Sequence, residues 1–272
     1  MYNDIHMGSC AEQTAEKYQI SRDAQDEHAI ESYTRAEMAV SSGAFHKEII
    51  PVVITSRNGQ TIIAEDEEYK IVDFKKLVKL KGAFEKNGTV TAGNSSTLND
   101  GASAVVLMDE AKAKQMALVP LARILSFADA ACEPKLFTTA PSLAIPIALK
   151  KAGLTIGDID LFEINEAFSV VIKANEQILG LDPKKVNIFG GGVSMGHPIG
   201  SSGSRIVVSL VHALKKVELY FYDRVNLELL QFATGVALRH PSSLKDYKII
   251  LNCVYSESLY KYGSNNVSGH FI

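Results

Sequence analysis

The sequence predicts an α/β fold, a parallel or mixed sheet covered by helices. From residue 121 onward, β-prone runs alternate with stretches of helical apolar spacing, the pattern of a sheet wrapped by helices. Within that alternation, residues 187–214 (NIFGGGVSMGHPIGSSGSRIVVSLVHAL) join a β-prone run to a helix through a glycine-rich bend carrying one histidine. Ligands of such sheets gather where strands end and bends begin.

The elements follow in order. Residues 10–18 read as a short helix, and Ser21 as the N-cap of a longer one with an apolar stripe at Ala29, Tyr33, Ala36 and Val40, ending at Gly43. Residues 48–55 and 61–64 are β-prone around Asn58-Gly59, the signal of a type I′ hairpin. A charged segment, 65–86, closes what reads as a small α+β subdomain. Small residues then lead to Asn99-Asp100-Gly101, a turn before a β run at 104–108. Helices are expected at 109–118, 141–152, 166–179 and 201–216, and strands at 121–127, 160–164 and 186–189.

The totals exclude several classes. A chain of 272 residues with 46% hydrophobic content can build one large or two modest domains. Its net charge of -3 offers no electrostatic footprint for nucleic acid or an anionic membrane. Cys10, Cys132 and Cys253 are odd in number and scattered, which suits a reducing compartment rather than a disulfide framework or zinc site. No apolar run reaches the ~18–20 residues of a membrane span, and the opening MYNDIHMGSCAE has neither a secretory core nor transit-peptide character.

The bend at 190–203 is neither a dinucleotide fingerprint, because Met195 takes the last glycine position, nor a P-loop, because no Gly-Lys-Ser/Thr follows. On its own it also fits a surface loop with a surface histidine. Asn165-Glu166 likewise fits an ordinary helix cap, and Tyr33 an ordinary core residue. Together, the bends at 165 and 190–200 would place Asn165 and His197 on one crevice floor.

Asn165-Glu166-Ala167-Phe168 and the later GGGVSMGHPIGSSG containing His197 resemble the paired NEAF and GHP blocks of thiolases. His6-Met7-Gly8-Ser9, Tyr33 and TVTAGNSSTLNDGA extend the resemblance over residues 1–216. It implies a layered αβαβα fold, incomplete here, with a CoA-covering loop domain at 1–88. The end of the amino-terminal thiolase half would occupy 89–118, and part of the carboxyl-terminal half 119–216.

The implied reaction is the reversible Claisen condensation of two acetyl-CoA to acetoacetyl-CoA and CoA. His197 would be the activating histidine and an oxyanion donor, and Asn165 would hold the water completing that hole. The resemblance puts Tyr33, Val72, Asp73, Lys76 and Ser96 on CoA contacts and His6 and Met7 on the pantetheine channel. Tyr33 with backbone oxygens of Ala92, Gly93, Ser95 and Val193 matches a potassium site. Ile71 departs from an arginine of that pattern. Homo-oligomers, association with full-length thiolases and a mitochondrial location are also implied by resemblance.

Two family blocks have no counterpart in these residues, the one carrying the nucleophilic cysteine and the Cys-x-Gly-Gly-Gly block after the histidine. Cys10 belongs to the loop-domain motif, and Cys253 follows His197 by 56 residues without a glycine triplet. The expectation is therefore a thiolase-type acyltransferase with impaired turnover. The alternatives are a non-catalytic CoA-binding or subunit-interacting chain and an unstable fragment. Composition shifts near Lys216: the final 56 residues hold nine of the 10 tyrosines and 11 phenylalanines, so 217–272 read as a divergent tail, with a helix at 227–238 and a strand at 245–253.

Overall fold

The computed structural model describes residues 5–218, 228–232 and 235–239. Two helices lead the chain: α1 (Met7–Tyr18) and α2 (Arg22–Ser41). They meet at Gln19, whose φ of 54° lets the chain reverse. Ser21 Oγ accepts from the amide of Ala24 at 3.1 Å, the expected N-cap. The buried face of α2 is mixed, placing Gln25, Asp26, His28 and Ser32 beside Ala29, Tyr33, Ala36 and Ala39. Polar side chains so buried need partners, and most of theirs come from distant loops.

The hairpin β1 (Val52–Ser56) and β2 (Gly59–Ile63) follows. Its turn differs from the expected type I′. Ser56 pairs with Gly59, so the loop residues are Arg57 and Asn58, neither with positive φ. Gly59, at φ 118°, takes the left-handed position after the turn instead. A short helix α3 (Phe74–Leu77), capped by Asp73, and an irregular stretch lead to α4 (Glu110–Gln115). The irregular stretch is fastened by Glu12, whose carboxylate accepts from the amides of Thr89 and Val90 and the Thr89 hydroxyl at 2.7–2.9 Å.

The second half alternates as expected: β3 (Arg123–Ala128), α5 (Ala140–Ala152), β4 (Leu161–Ile164), α6 (Ser169–Leu179), α7 (Gly192–Met195) and α8 (Ser202–Glu218). The last strands are β5 (Glu228–Phe232) and β6 (Gly235–Arg239). The sheet is mixed, in the order β3-β5-β6-β4, with β3 parallel to β5 and the other neighbours antiparallel.

Four expectations are corrected. Residues 104–108 form no strand; Val106 and Leu107 stay exposed, and no described strand lies beside them to pair their backbone. Residues 186–189 form only isolated bridges, because Asn187 adopts φ 48° and breaks the extended run. α6 starts at Ser169 rather than 166, since residues 165–168 stay non-helical to reach the site. Where a helix is expected at 227–238, the described residues 228–232 and 235–238 lie in the antiparallel strands β5 and β6. The strand expected at 245–253 lies outside the described residues.

β4 is buried on both sides, so alternate residues enter two cores. Phe162 and Ile164 join the cluster of Ile145, Val170, Ile172 and Ala15, and Leu161 joins Ile206, Leu210 and Leu214 of α8. Glu163 shares the parity of Leu161 and so faces the α8 layer. Among the described residues, no helix is long and apolar enough to cross a membrane.

Candidate active site

Three loops converge beyond the carboxyl end of β4. The first continues β4 through Asn165, Glu166, Ala167 and Phe168; the second, Gly190 to Gly200, carries His197; the third is the stretch 94–99. His197 is held by its backbone. Its amide donates to the carbonyl of Thr97 at 2.9 Å and to Asn99 Oδ1 at 3.2 Å. Gly196, before it, has φ 82°, and an added Cβ would sit 2.1 Å from Asn99 Oδ1, so only glycine fits.

The donors around His197 select its tautomer. Ser202 O–H donates to the carbonyl of Pro198 at 3.1 Å, leaving Ser202 Oγ to accept from Nδ1–H at 2.5 Å. The lone pair then lies on Nε2, where the Asn165 amide Nδ2 approaches to 3.4 Å. Burial and the nearby Arg205 charge pull the imidazole below its ordinary value of 6.5, so it is neutral at pH 7. A neutral ring with an acceptor lone pair at Nε2 can take a proton from a thiol.

Beneath the loops lies Glu166, fully buried. Its carboxylate accepts from Ser32 Oγ at 2.7 Å, Asn187 Nδ2 at 2.9 Å and the Val193 amide at 3.2 Å; His28 Nε2 stands 3.3 Å away at ion-pair distance. Burial pushes its pKa upward, but the approach of His28 and the hydrogen bonds outweigh burial and hold it below 4.5. A Cβ at Gly191 would sit 2.5 Å from this carboxylate, which explains one glycine of the triplet.

The other predicted residues fall into two groups. Tyr33 packs with Leu77, Val193 and the partly buried Val72, and Gly93 lies so close to Leu77 that a Cβ would come within 2.7 Å. Burial and the Glu68 and Glu166 charges push the Tyr33 phenol up to about 12, keeping it neutral. Among the described residues, no hydrogen bond is donated to the carbonyls of Ala92, Gly93, Ser95 or Val193. Ser96 binds the carbonyl of Ala167 through both its amide and hydroxyl, tying it to the Asn165 loop.

The second group is peripheral. His6 is the N-cap of α1 and faces Phe84 at 5.2 Å; Phe84 meets Phe168 edge-on at 6.0 Å, linking His6 to the Asn165 loop through two rings. Its neighbour Met7 is exposed. Asp73 spends its carboxylate on the amides of Lys75 and Lys76 and on Lys76 Nζ at 3.2 Å, and Ile71 beside them is exposed. The sequence reading missed Ser202, Ser32, Asn99 and Arg205. Ser202 carried a signal, lying five residues after His197 at the start of the helix expected over 201–216.

Comparison with known proteins fits this geometry. The sequence profile described as thiolase, N-terminal domain, matches residues 1–111, and that of the thiolase C-terminal domain matches residues 118–221. The chain belongs to the thiolase family.

Within that family it is 57% identical over 220 residues to the mitochondrial acetyl-CoA acetyltransferase of Bos taurus, covering 80% of this chain and 52% of that protein. It is also 57% identical over 217 residues to the acetyl-CoA acetyltransferase of Yarrowia lipolytica, covering 80% and 55%. The chain thus spans about half the length of the curated relatives it matches. Among solved structures, the Bacillus anthracis acetyl-CoA acetyltransferase superposes with a TM-score of 0.80 at 42% identity, covering 88% of this chain and 61% of that one. The human mitochondrial 3-ketoacyl-CoA thiolase superposes at 0.73 with 34% identity, covering 86% and 59%. The thiolase-like layered α/β fold, incomplete in this chain, is therefore its fold class.

Proposed function

We propose that this chain carries the CoA-binding and histidine side of an acetyl-CoA acetyltransferase reaction, two acetyl-CoA giving acetoacetyl-CoA and CoA, and its thiolytic reverse. The observation that carries this reading is the Asn165–His197 pair, 3.4 Å apart and brought from loops 32 residues apart. His197 Nε2 would accept the proton of an attacking thiol and, once protonated, donate to the thioester oxygen as negative charge develops. Asn165 would hold the water that shares this role. The thioester's CoA would lie against Tyr33, Val72, Asp73, Lys76 and Ser96, with its pantetheine arm near His6 and Met7.

We propose with it a potassium ion near Tyr33. Four carbonyls without other donors and one neutral phenol form a hard oxygen set of the kind that suits a weakly held monovalent cation. Tyr33, Ala92, Gly93, Ser95 and Val193 would hold it and stiffen the loop bearing Ser96.

Neither Cys10 nor Cys132 stands as a poised nucleophile. Burial raises both thiols, and Cys132 Sγ is engaged with the carbonyl of Leu136. Cys253 lies outside the described residues. We therefore take the 272-residue chain as it stands to bind CoA thioesters but to turn them over at only a residual rate, ~10³–10⁴ over water, as expected without a nucleophile. Residues 1–88 would cover the CoA, residues 89–118 and 119–216 would belong to the two thiolase halves, and 217–272 would be a divergent tail. The mitochondrial relatives support a mitochondrial location, and the family habit supports homo-oligomers or assembly with full-length thiolase subunits.

A thermal melt of the purified chain tests the binding reading. Saturating CoA at ~100 times Kd should add about 2.7 kcal/mol and raise the midpoint, more in potassium than in sodium. A cooperative melt that CoA does not move would overturn it. Thiolysis of acetoacetyl-CoA at an ordinary enzyme's rate, surviving removal of host thiolase, would overturn the residual-rate reading.

A further inference from the structure

Both feet of the β1–β2 hairpin approach the first turn of α8. Glu48 lies before the hairpin and Asp66 after it. Together with Phe45, Ser103, Arg205 and Ser209 they line a chamber of about 20 Å³. Glu48 is buried at 6% exposure with Oε2 unpartnered, and Ser209 Oγ stands 3.5 Å from Oε1. Arg205 spans the gap. One guanidinium nitrogen donates to the carbonyl of Gly196 at 3.0 Å, and another lies 4.0 Å from Asp66 Oδ2.

We propose that Arg205 is the positioning residue of the His197 loop, tying its Gly196 carbonyl to Asp66 at one foot of the hairpin. Gly196 is the residue whose left-handed φ aims His197, so a hydrogen bond on its carbonyl sets both the imidazole's place and its electrostatic surroundings. The same guanidinium faces Glu163 from β4, and Arg35 faces that carboxyl from α2. The charges of Glu166 and Glu48 act on the same carboxyl. No other residue joins the hairpin feet to the Gly196 carbonyl by hydrogen bond or ion pair among the described residues.

This inference rests on His197 being the activating histidine, but its test needs neither CoA nor turnover, so the two fail separately. The His197 ring is followed by NMR titration of the full chain, its signal assigned by its loss in His197→Asn. Arg205→Ala should raise the His197 midpoint by removing a cation, and Arg205→Lys should restore it toward the wild-type value. Asp66→Asn should shift it the opposite way, downward, by unmasking the guanidinium. Opposite shifts are something a merely structural arginine would not produce. Unmoved midpoints in folded Arg205→Ala and Asp66→Asn would overturn the proposal. If Arg205→Ala does not fold, Asp66→Asn decides alone: a lowered midpoint supports the proposal and an unmoved one overturns it.

Discussion

Ser32 Oγ donates to Glu166 Oε2 at 2.7 Å across 134 residues of sequence. The bond fastens helix α2 of the amino-terminal region to the loop that carries Asn165. Because the Val193 amide and Asn187 share the same carboxylate, one buried charge holds α2, the Asn165 loop and the start of α7.

Removing that charge should therefore be costly. Glu166→Gln is expected to destabilise the chain by about 3 kcal/mol, since buried donors lose a charged acceptor. In a double-mutant cycle with Ser32→Ala, measured by urea unfolding, the pair should show a coupling of about 1 kcal/mol or more. Glu166 also has a sign in pH. Its folded pKa is depressed, so its stabilisation is present above 4.5 and is lost as pH falls through the folded value. Glu166→Gln should flatten that acid limb.

Glu48 has the opposite sign. Burial raises its carboxyl from 4.5 to about 8, partly offset by Arg205. Its contribution is full below 4.5 and declines as pH rises toward 8, by at most about 5 kcal/mol. Chemical denaturation between pH 5 and 9 should show Glu48→Gln gaining on the wild type as pH increases.

The acid side carries a second group, His212 on α8. Burial, with Lys215 and Lys47 nearby, lowers it from 6.5 to about 4, and its Nε2 is buried without a partner. A depressed histidine contributes stability above 6.5 that is lost as pH falls toward 4. His212→Gln should remove this loss, read as a smaller drop in Tm between pH 7 and 4.5.

Two glycines of the histidine bend should respond differently. Gly196→Ala combines a left-handed φ with a clash against Asn99 Oδ1, and is expected to cost about 2–4 kcal/mol and any CoA-induced rise in Tm. Gly200→Ala meets nothing within 4 Å at an unremarkable φ and should stay within about 0.5 kcal/mol. Equal effects in the two melts would contradict this reading of the loop.

Asn175 is a structural counterpart. Fully buried on α6, it accepts from the Ser142 amide at 2.8 Å and donates to the carbonyls of Thr138 and Val171 at 2.8 and 2.7 Å. Asn175→Ala leaves these groups unpaired and should destabilise by about 3 kcal/mol, with equilibrium unfolding as the check.

Much of the helical framework was legible because local signals act over a few residues. Ser21 caps α2 as its side chain and position predict, and the stripe of Ala29, Tyr33 and Ala36 is buried. The errors cluster where backbone conformation depends on a distant partner. Asn187 breaks a strand-like run because its side chain is needed elsewhere: Oδ1 accepts from the Ile164 amide and Nδ2 donates to Glu166. Residues 227–238 have helical apolar spacing, yet the described ones, 228–232 and 235–238, pair as strands between β3 and β4, because sheet hydrogen bonds override local preference.

The sequence by itself determined the family, the strand–helix alternation and the pairing of Asn165 with His197, because motif spacing and apolar periodicity are local properties of the chain. Only the tertiary structure decided that Ser202 selects the histidine's tautomer, that Glu166 binds three segments, and that Arg205 joins the hairpin to the Gly196 carbonyl. Those relationships depend on which buried polar groups meet in space, from five residues apart for His197 and Ser202 to 134 for Ser32 and Glu166, and close packing in three dimensions chooses those partners.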